Sequence, residues 1–277
     1  MKFFLLRIAP LLLFAVIGCS SGKELSDPTL SATLWVQRSA EYDALTTTIY
    51  RSAEMQLATA VSDTGWDALP KPGSGSSRPL AVILDVDETV LDNSPFQARM
   101  ITQNSSYNIE EWNEWVREAR AEAVPGALSF TQRADSLGVA VFYLTNREHR
   151  VDSPTRKNLR ELGFPLSSRE DRLLTKNEQP GWTSAKTSRR SYITDRYRVL
   201  MVFGDDLNDF VAAKGISMEQ REQLIRANSD QWGTHWFVLP NPVYGSWEQA
   251  LYNFDETLSN GQKKKIKRDL LDTGTRQ

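Results

Sequence analysis

The stretch Leu80-Ala81-Val82-Ile83-Leu84-Asp85-Val86-Asp87-Glu88-Thr89 decides how this chain is read. Five consecutive apolar residues leave no polar face, so the run reads as a strand buried on both sides in a parallel sheet. Where the apolar run stops, carboxylates begin. Two further runs have the same character, Val139-Ala140-Val141-Phe142-Tyr143-Leu144 and Val199-Leu200-Met201-Val202-Phe203, and a weaker one is Trp236-Phe237-Val238-Leu239. Helix-like stretches separate them, which predicts an α/β fold on a Rossmann-like parallel sheet. Open sheets of this kind bind ligands beyond the carboxyl ends of their strands. The segments expected there are Asp85-Val86-Asp87-Glu88-Thr89, Thr145-Asn146-Arg147 and Gly204-Asp205-Asp206-Leu207-Asn208-Asp209, with Lys186 in a predicted helix between the last two.

Asp85 and Asp87 stand two apart where a strand is turning, so both carboxylates can reach one space. Left alone, such a group of acids repels itself and raises its own pKa values, and a cation relieves that repulsion. Carboxylate oxygens, with two histidines and one cysteine in the chain, favour a hard ion, Mg²⁺ over Zn²⁺. A carboxylate can also attack phosphorus and form an acyl-phosphate, with hydroxyl, amide and ammonium groups holding the phosphoryl oxygens. Each residue has a plainer alternative. Asp85 and Asp87 could be solvated acids at a turn, Thr145 an ordinary turn residue, Lys186 a solvent-facing helix residue, and Asp205, Asp206 and Asp209 an N-cap cluster favoured by a helix dipole.

The amino end carries a different signal. Lys2 and Arg7 precede an apolar run of ten residues, Ile8 to Ile17, too short to span a bilayer comfortably and suited to a signal peptide over 1–18. Val16-Ile17-Gly18-Cys19-Ser20 resembles a bacterial lipobox, in which the cysteine is lipidated; Cys19 is the only cysteine. The polar segment 19–31 reads as a tether, with ordered structure expected near Ala32. This predicts an exported lipoprotein held at the cell envelope through its lipid, and Ser20 after the cysteine points to an outer membrane. Without an 18-residue leader the 277-residue chain keeps 259, enough for one large domain, and its net charge moves from −2 to −4 as Lys2 and Arg7 are lost. That is no field for gathering a nucleic-acid polymer. At 40% hydrophobic and 25% charged, wholesale disorder is also excluded.

Taken together, Asp85-Val86-Asp87-Glu88-Thr89-Val90-Leu91-Asp92-Asn93, Thr145-Asn146-Arg147, Lys186 and Gly204-Asp205-Asp206-Leu207-Asn208-Asp209 resemble the four ordered motifs of the haloacid dehalogenase (HAD) superfamily. Ala123-Val124-Pro125-Gly126-Ala127 and Leu239-Pro240-Asn241-Pro242-Val243-Tyr244-Gly245-Ser246-Trp247-Glu248 sharpen the likeness to class C bacterial acid phosphatases, lipoproteins also described as 5′-nucleotidases. The likeness runs from about residue 32 to 255. It implies that Asp85 is the nucleophile and Asp87 the acid and then the base. Mg²⁺ would be held by Asp85, Asp205 and the main-chain carbonyl of Asp87, with Asp209 as an outer or weaker ligand. Thr145 and the Asn146 backbone would hold phosphate, and Lys186 would offset charge. Asp206 is a departure, since asparagine is expected there.

The same resemblance implies a helical cap from about 32–70 and 93–122, within a phosphatase domain spanning 32–258. Trp112 and Tyr244 would stack on a nucleobase, making the substrates small phosphomonoesters, nucleotides among them; packing is the usual role of a pair such as Trp112 and Trp115 on one helix face. The segment 259–277, with Lys263, Lys264, Lys265, Lys267 and Arg268, is expected to be a solvated basic tail. A phosphotransferase on the same scaffold and a non-catalytic binding lipoprotein are the alternatives, and a homo-oligomer is left open.

Overall fold

A computed structural model of the chain describes residues 29–71 and 77–274. The leader, Cys19 and nearly all of the expected tether lie outside the described residues. Two helices open the structure, α1 (Leu30–Arg38) and α2 (Ala40–Ser62). They divide at Ser39, whose extended backbone stops α1 and whose hydroxyl accepts from Tyr42 N–H to cap α2. The cap accounts for there being two helices and not one.

Strand β1 (Leu80–Asp85) follows, then a small antiparallel ladder of β2 (Leu91–Asp92) and β3 (Glu122–Ala123) enclosing α3 (Ser94–Gln103) and α4 (Ile109–Glu118). The remaining elements alternate: α5 (Ala127–Ser136), β4 (Ala140–Glu148), α6 (Asp152–Leu162), β5 (Leu173–Lys176), α7 (Thr187–Thr194), β6 (Arg198–Gly204), α8 (Met218–Ala227) and β7 (Trp236–Val238). Helices α9 (Ser246–Leu251) and α10 (Asn260–Asp269) close the chain. Strands β1 and β4 to β7 form one parallel sheet in the order β5-β4-β1-β6-β7. All four expected strands are present. β5 is an addition, and β4 runs on through Thr145 to Glu148 with its pairing to β5 interrupted between Leu144 and Glu148.

The strand sequence determines the layering. Val82 and Leu84 of β1 face a core shared with Tyr50 of α2 and Phe130 of α5, while Ala81 and Ile83 face a second core with Ile193 of α7 and Phe210. Both faces are therefore covered, as a run without polar alternation requires. β1 lies centrally, with β4 on one side and β6 on the other, so the chain changes direction across the sheet at its carboxyl end. That is the topological switch point where a crevice opens.

The segment expected as a cap over 32–70 divides in two. α2 lies against a sheet face: Tyr50 stacks on Phe203 at 5.3 Å, and its hydroxyl donates to Thr89 O at 2.8 Å. α1 packs on α3 instead, and its Val36 meets Tyr42 and Val243 beside the carboxyl edge. Helix α4 is set by Asn108, whose side chain accepts from Glu110 N–H at 2.8 Å, and its apolar face carries Trp112, Trp115 and Val116 inward. α10 is a solvent-exposed basic helix whose Lys267 pairs with Glu248 at 2.6 Å. Among the described residues no helix is long and apolar enough to cross a membrane.

Candidate active site

Asp85 is the last residue of β1, and Lys186 is the N-cap of α7. They lie far apart in sequence, yet the Lys186 ammonium donates to Asp85 Oδ1 and, at 2.6 Å, to Asp209 Oδ1. Asp205 follows β6, and one carboxylate oxygen from each of Asp85, Asp205 and Asp209 falls within 4.8 Å of the others. The sheet topology thus gathers β1, β6 and α7 ends around three acids and one ammonium.

That balance is electrostatically incomplete, because one positive charge faces three carboxylates. Burial pushes the Asp85 carboxyl up to about 7, with Asp209 and Asp87 adding to the rise and Lys186 opposing it. Burial, then Asp85 and Asp209, holds Asp205 well above the usual carboxylate range. Asp209 is raised by burial against the pull of Lys186. Lys186 itself is held charged: burial lowers its pKa, but Asp209 and Asp85 more than compensate. A buried, oxygen-only, net negative cluster fits a hard divalent cation.

The open valences show where such an ion would sit. Asp209 is committed, since Oδ1 takes Lys186 and Oδ2 accepts Asp206 N–H at 3.0 Å. Asp205 Oδ2 accepts from Asn241 Nδ2 at 2.8 Å. Asp85 Oδ2 and Asp205 Oδ1 receive no donor among the described residues, so Asp205 Oδ1 is free to coordinate an ion and Asp85 Oδ2 is free to meet a substrate. Asp209 reads as an outer support, and the Asp87 carboxylate is not part of the group. Gly204 makes the cluster compact, because a Cβ there would overlap the Asp209 carboxylate.

Asp206 is accounted for by its partners. Its carboxylate accepts Asn208 N–H at 2.9 Å, and both the N–H and the hydroxyl of Ser246. It caps the 3₁₀ turn Leu207–Asp209 and moors the start of α9. The N-cap alternative for these acids is therefore correct for Asp206, with Asp209 Oδ2 completing the capping box, while Asp209 Oδ1 takes Lys186 and Asp205 joins the acid cluster.

Asp87 has its own surroundings. Its Oδ1 accepts from Asn93 Nδ2 at 3.0 Å and Arg147 Nε at 2.9 Å, and its Oδ2 accepts the Thr145 hydroxyl at 3.0 Å. Thr145 Oγ1 in turn accepts Arg147 N–H at 3.0 Å. The Asn146 side chain is braced by Ser184 O at 3.1 Å and Arg189 Nη2 at 2.7 Å. Arg189 and Arg190 are buried struts: Arg189 also donates to Thr145 O, and Arg190 donates to Asn208 O and Asp209 O. Sequence reasoning gave none of Asn93, Arg147, Arg189 or Arg190 a role, because residue type does not reveal that an arginine is buried.

Glu88, beside these acids, adopts a left-handed backbone with φ 59°. The turn is held by Leu91 N–H and Val90 N–H to Val86 O at 2.9 and 3.0 Å. Glu88 accepts Asn93 N–H at 3.0 Å and the Tyr244 hydroxyl at 2.8 Å, and burial raises its carboxyl to about 8, with Asp92 contributing. Tyr244 is thus tied to the first motif. Trp112 is only 8% exposed, packed edge-on to Phe96 at 5.1 Å with Arg147 over its ring at 5.7 Å. Its neighbour Tyr107, at 6.5 Å, is 60% exposed and is the aromatic of this group that solvent reaches.

With this geometry in place, known proteins supply the family. Residues 22–247 match the family model of HAD superfamily, subfamily IIIB (Acid phosphatase). The chain belongs to that family. Its fold matches the class C acid phosphatase from Bacillus anthracis at 33% identity, TM-score 0.77, over 88% of this chain and 97% of the other. The crystal structure of the Bacillus anthracis enzyme with tungstate bound aligns at TM-score 0.79, also 33% identical, over 90% and 98%. Acid phosphatase 1 of Solanum lycopersicum is 30% identical over 165 residues, 58% of this chain. The chain spans 57% of that relative's length.

Proposed function

We propose that this subfamily IIIB chain is a Mg²⁺-dependent acid phosphatase that hydrolyses phosphomonoesters through an aspartyl-phosphate on Asp85. The observation that carries this reading is the convergence of Asp85, Lys186, Asp205 and Asp209, with Asp87 held separately beside them. A binding protein needs the charge of such a group, but it has no need of a second, independently held carboxylate. Tungstate is a tetrahedral oxyanion like phosphate, and its presence in the Bacillus anthracis relative supports a phosphoryl pocket here.

A bound divalent cation, Mg²⁺ by the hardness of its oxygen donors, supplies positive charge that lets an anionic carboxylate approach an anionic ester. Asp85 attacks phosphorus through Oδ2, the oxygen that Lys186 leaves open. Lys186 holds the other carboxylate oxygen and so fixes the direction of attack. Thr145 Oγ1 and the Asn146 backbone bind phosphoryl oxygens. Asp87 gives a proton to the departing oxygen, then takes one from the water that hydrolyses the acyl-phosphate.

Nucleoside monophosphates are the substrates proposed within this class, with aromatic stacking on the Trp112, Tyr107 and Tyr244 side of the crevice. Stacking is tolerant of base identity, so a broad range of bases is expected. The lipobox-like segment at Cys19 supports a lipid anchor at the envelope, where nucleotides that cross membranes poorly would yield nucleosides for uptake. The deciding experiment is a panel of phosphomonoesters with Mg²⁺ or EDTA on wild-type protein and D85N. Both EDTA and the substitution are expected to abolish phosphate release; undiminished release by D85N would refute the covalent route.

A further inference from the structure

Asp87 is enclosed by a buried network that the phosphoryl chemistry above leaves without a role. Arg147 is 2% exposed, and each of its three guanidinium nitrogens has a partner. Nε donates to Asp87 Oδ1 at 2.9 Å, Nη2 lies 2.9 Å from that same oxygen and donates to Asn93 Oδ1 at 3.1 Å, and Nη1 donates to Thr155 Oγ1 at 3.2 Å. Asn93 is wholly buried, with Nδ2 directed at Asp87 Oδ1 and Oδ1 accepting the Trp115 indole N–H at 2.8 Å. The Trp112 ring lies under the guanidinium. Arg147 and Asn93 together thus direct their donors at Oδ1 of Asp87.

Oδ2 has the opposite character. Its sole donor among the described residues is the Thr145 hydroxyl. A hydroxyl has one hydrogen, and Thr145 Oγ1 already accepts Arg147 N–H. If that hydrogen turns to a phosphoryl oxygen, Oδ2 is left without a donor, while Oδ1 remains saturated. A carboxyl oxygen surrounded by donors cannot hold a proton of its own to give away; an oxygen without donors can.

We propose that Arg147 and Asn93 are positioning residues that pin Oδ1 of Asp87, so that Oδ2 alone carries the proton delivered to the leaving oxygen. The proposal rests on the phosphatase reading. In the first step Asp85 Oδ2 forms a bond to phosphorus, the ester P–O bond breaks with its electron pair going to the leaving oxygen, and the Asp87 Oδ2 proton moves to that oxygen to give a free alcohol. In the second step Asp87 Oδ2 takes a proton from water, the water oxygen bonds to phosphorus, and the acyl-phosphate P–O bond breaks to return the Asp85 carboxylate and inorganic phosphate. Arg147 and Asn93 touch neither phosphorus nor the leaving group; they act through Asp87.

A clamp on the proton donor has a signature that a general structural role lacks. A departing 4-nitrophenolate is stable as an anion and needs no proton, whereas an alkoxide from an alkyl ester does. The measurement is kcat/KM, which reports the leaving-group step, for 4-nitrophenyl phosphate and for glycerol 2-phosphate on the full chain with Mg²⁺. In R147M and N93A, kcat/KM for the alkyl ester is expected to fall about 100-fold, within the usual range for general acid catalysis, and that for the aryl ester less than about tenfold. R147K, which keeps one charged donor for Oδ1, is expected to restore the alkyl rate at least in part.

The ratio of the two constants in one preparation is independent of the folded fraction, so partial unfolding does not obscure it. Should R147M fail to fold, T155V removes the brace on Nη1, together with a bond from the same hydroxyl to Val151 O, and is read by the same ratio, expected to shift about threefold toward the aryl ester, the size of a lost neutral hydrogen bond. Equal losses on both esters overturn the proposal while leaving the phosphatase reading intact. Absence of phosphate release from the wild-type protein would instead overturn that reading.

Discussion

Replacing Lys186 with methionine keeps the apolar stem and removes the charge that bridges Asp85 and Asp209. Three carboxylates with oxygens within 4.8 Å then face one another in a buried site. At that separation each carboxylate pair repels by about 3.5 kcal/mol with an effective dielectric near 20. Lys186 offsets part of that repulsion, and removing one partner of a buried ion pair costs about 3–5 kcal/mol in comparable cases. For a domain of this size each kcal/mol lowers Tm by about 2–4 °C, giving an expected fall of about 6–20 °C in metal-free buffer at pH 8. The dependence on pH fixes the cause. Burial already raises Asp85 to about 7 against Lys186, so the folded state holds more protons than the unfolded chain between the ordinary carboxylate range and that value. Stability is therefore lost as pH rises through this window, and K186M extends the loss upward. Lys186, with its pKa raised, stays charged at pH 5 and pH 8 alike and adds no slope of its own. Thermal unfolding of wild type and K186M in EDTA should show a gap that narrows from pH 8 to pH 5, and Mg²⁺ should raise Tm more in K186M. A variant as stable as wild type at pH 8, or a gap indifferent to pH, would refute the reasoning.

Two other substitutions separate supports from ligands, a third tests packing and a fourth tests base stacking. G204A drives a methyl group into Asp209, so calorimetric titration should show Mg²⁺ affinity weakened about 10–100-fold, as for loss of a supporting contact to a metal ligand. D206N loses charge from the anchor of Ser246 and Asn208; denaturant unfolding should report a loss of about 1–2 kcal/mol, with Mg²⁺ affinity unchanged. W112A empties a packed site and should cost about 3–5 kcal/mol of stability in the same assay. Y107A removes a ring that is 60% exposed and should raise KM for AMP while leaving KM for glycerol 2-phosphate unaltered; equal changes for both esters would remove base stacking from the account.

The sheet was legible because its strands are buried on both faces, and a continuous apolar run bounded by acids suits little else. β5 was not, since Leu173-Leu174-Thr175-Lys176 is short, half polar and derives its strand character from pairing with β4. The chemistry-bearing acids were legible because they follow strands, where the fold itself concentrates ligand groups. Their division of labour was less so. Asp205, Asp206 and Asp209 are alike on paper, and only the carboxylate partners separate an open oxygen from a cap and a support. Arg147 stood in plain view within Thr145-Asn146-Arg147, but an arginine's type favours the surface, and its burial depends on Asn93, Trp112, Trp115 and Thr155 from three other segments. Trp112 illustrates the reverse: helical spacing beside Trp115 suited packing and stacking equally, and packing on Phe96 takes most of its surface.

The central claim is that Asp85 becomes phosphorylated and is then relieved by water, two in-line displacements in succession. A phosphorothioate monoester made chiral at phosphorus with oxygen isotopes, hydrolysed by the wild-type protein in isotopically labelled water, reads this directly. Retention of configuration in the released thiophosphate is the predicted result; inversion would mean that water attacks the ester in one step and that Asp85 is not the nucleophile.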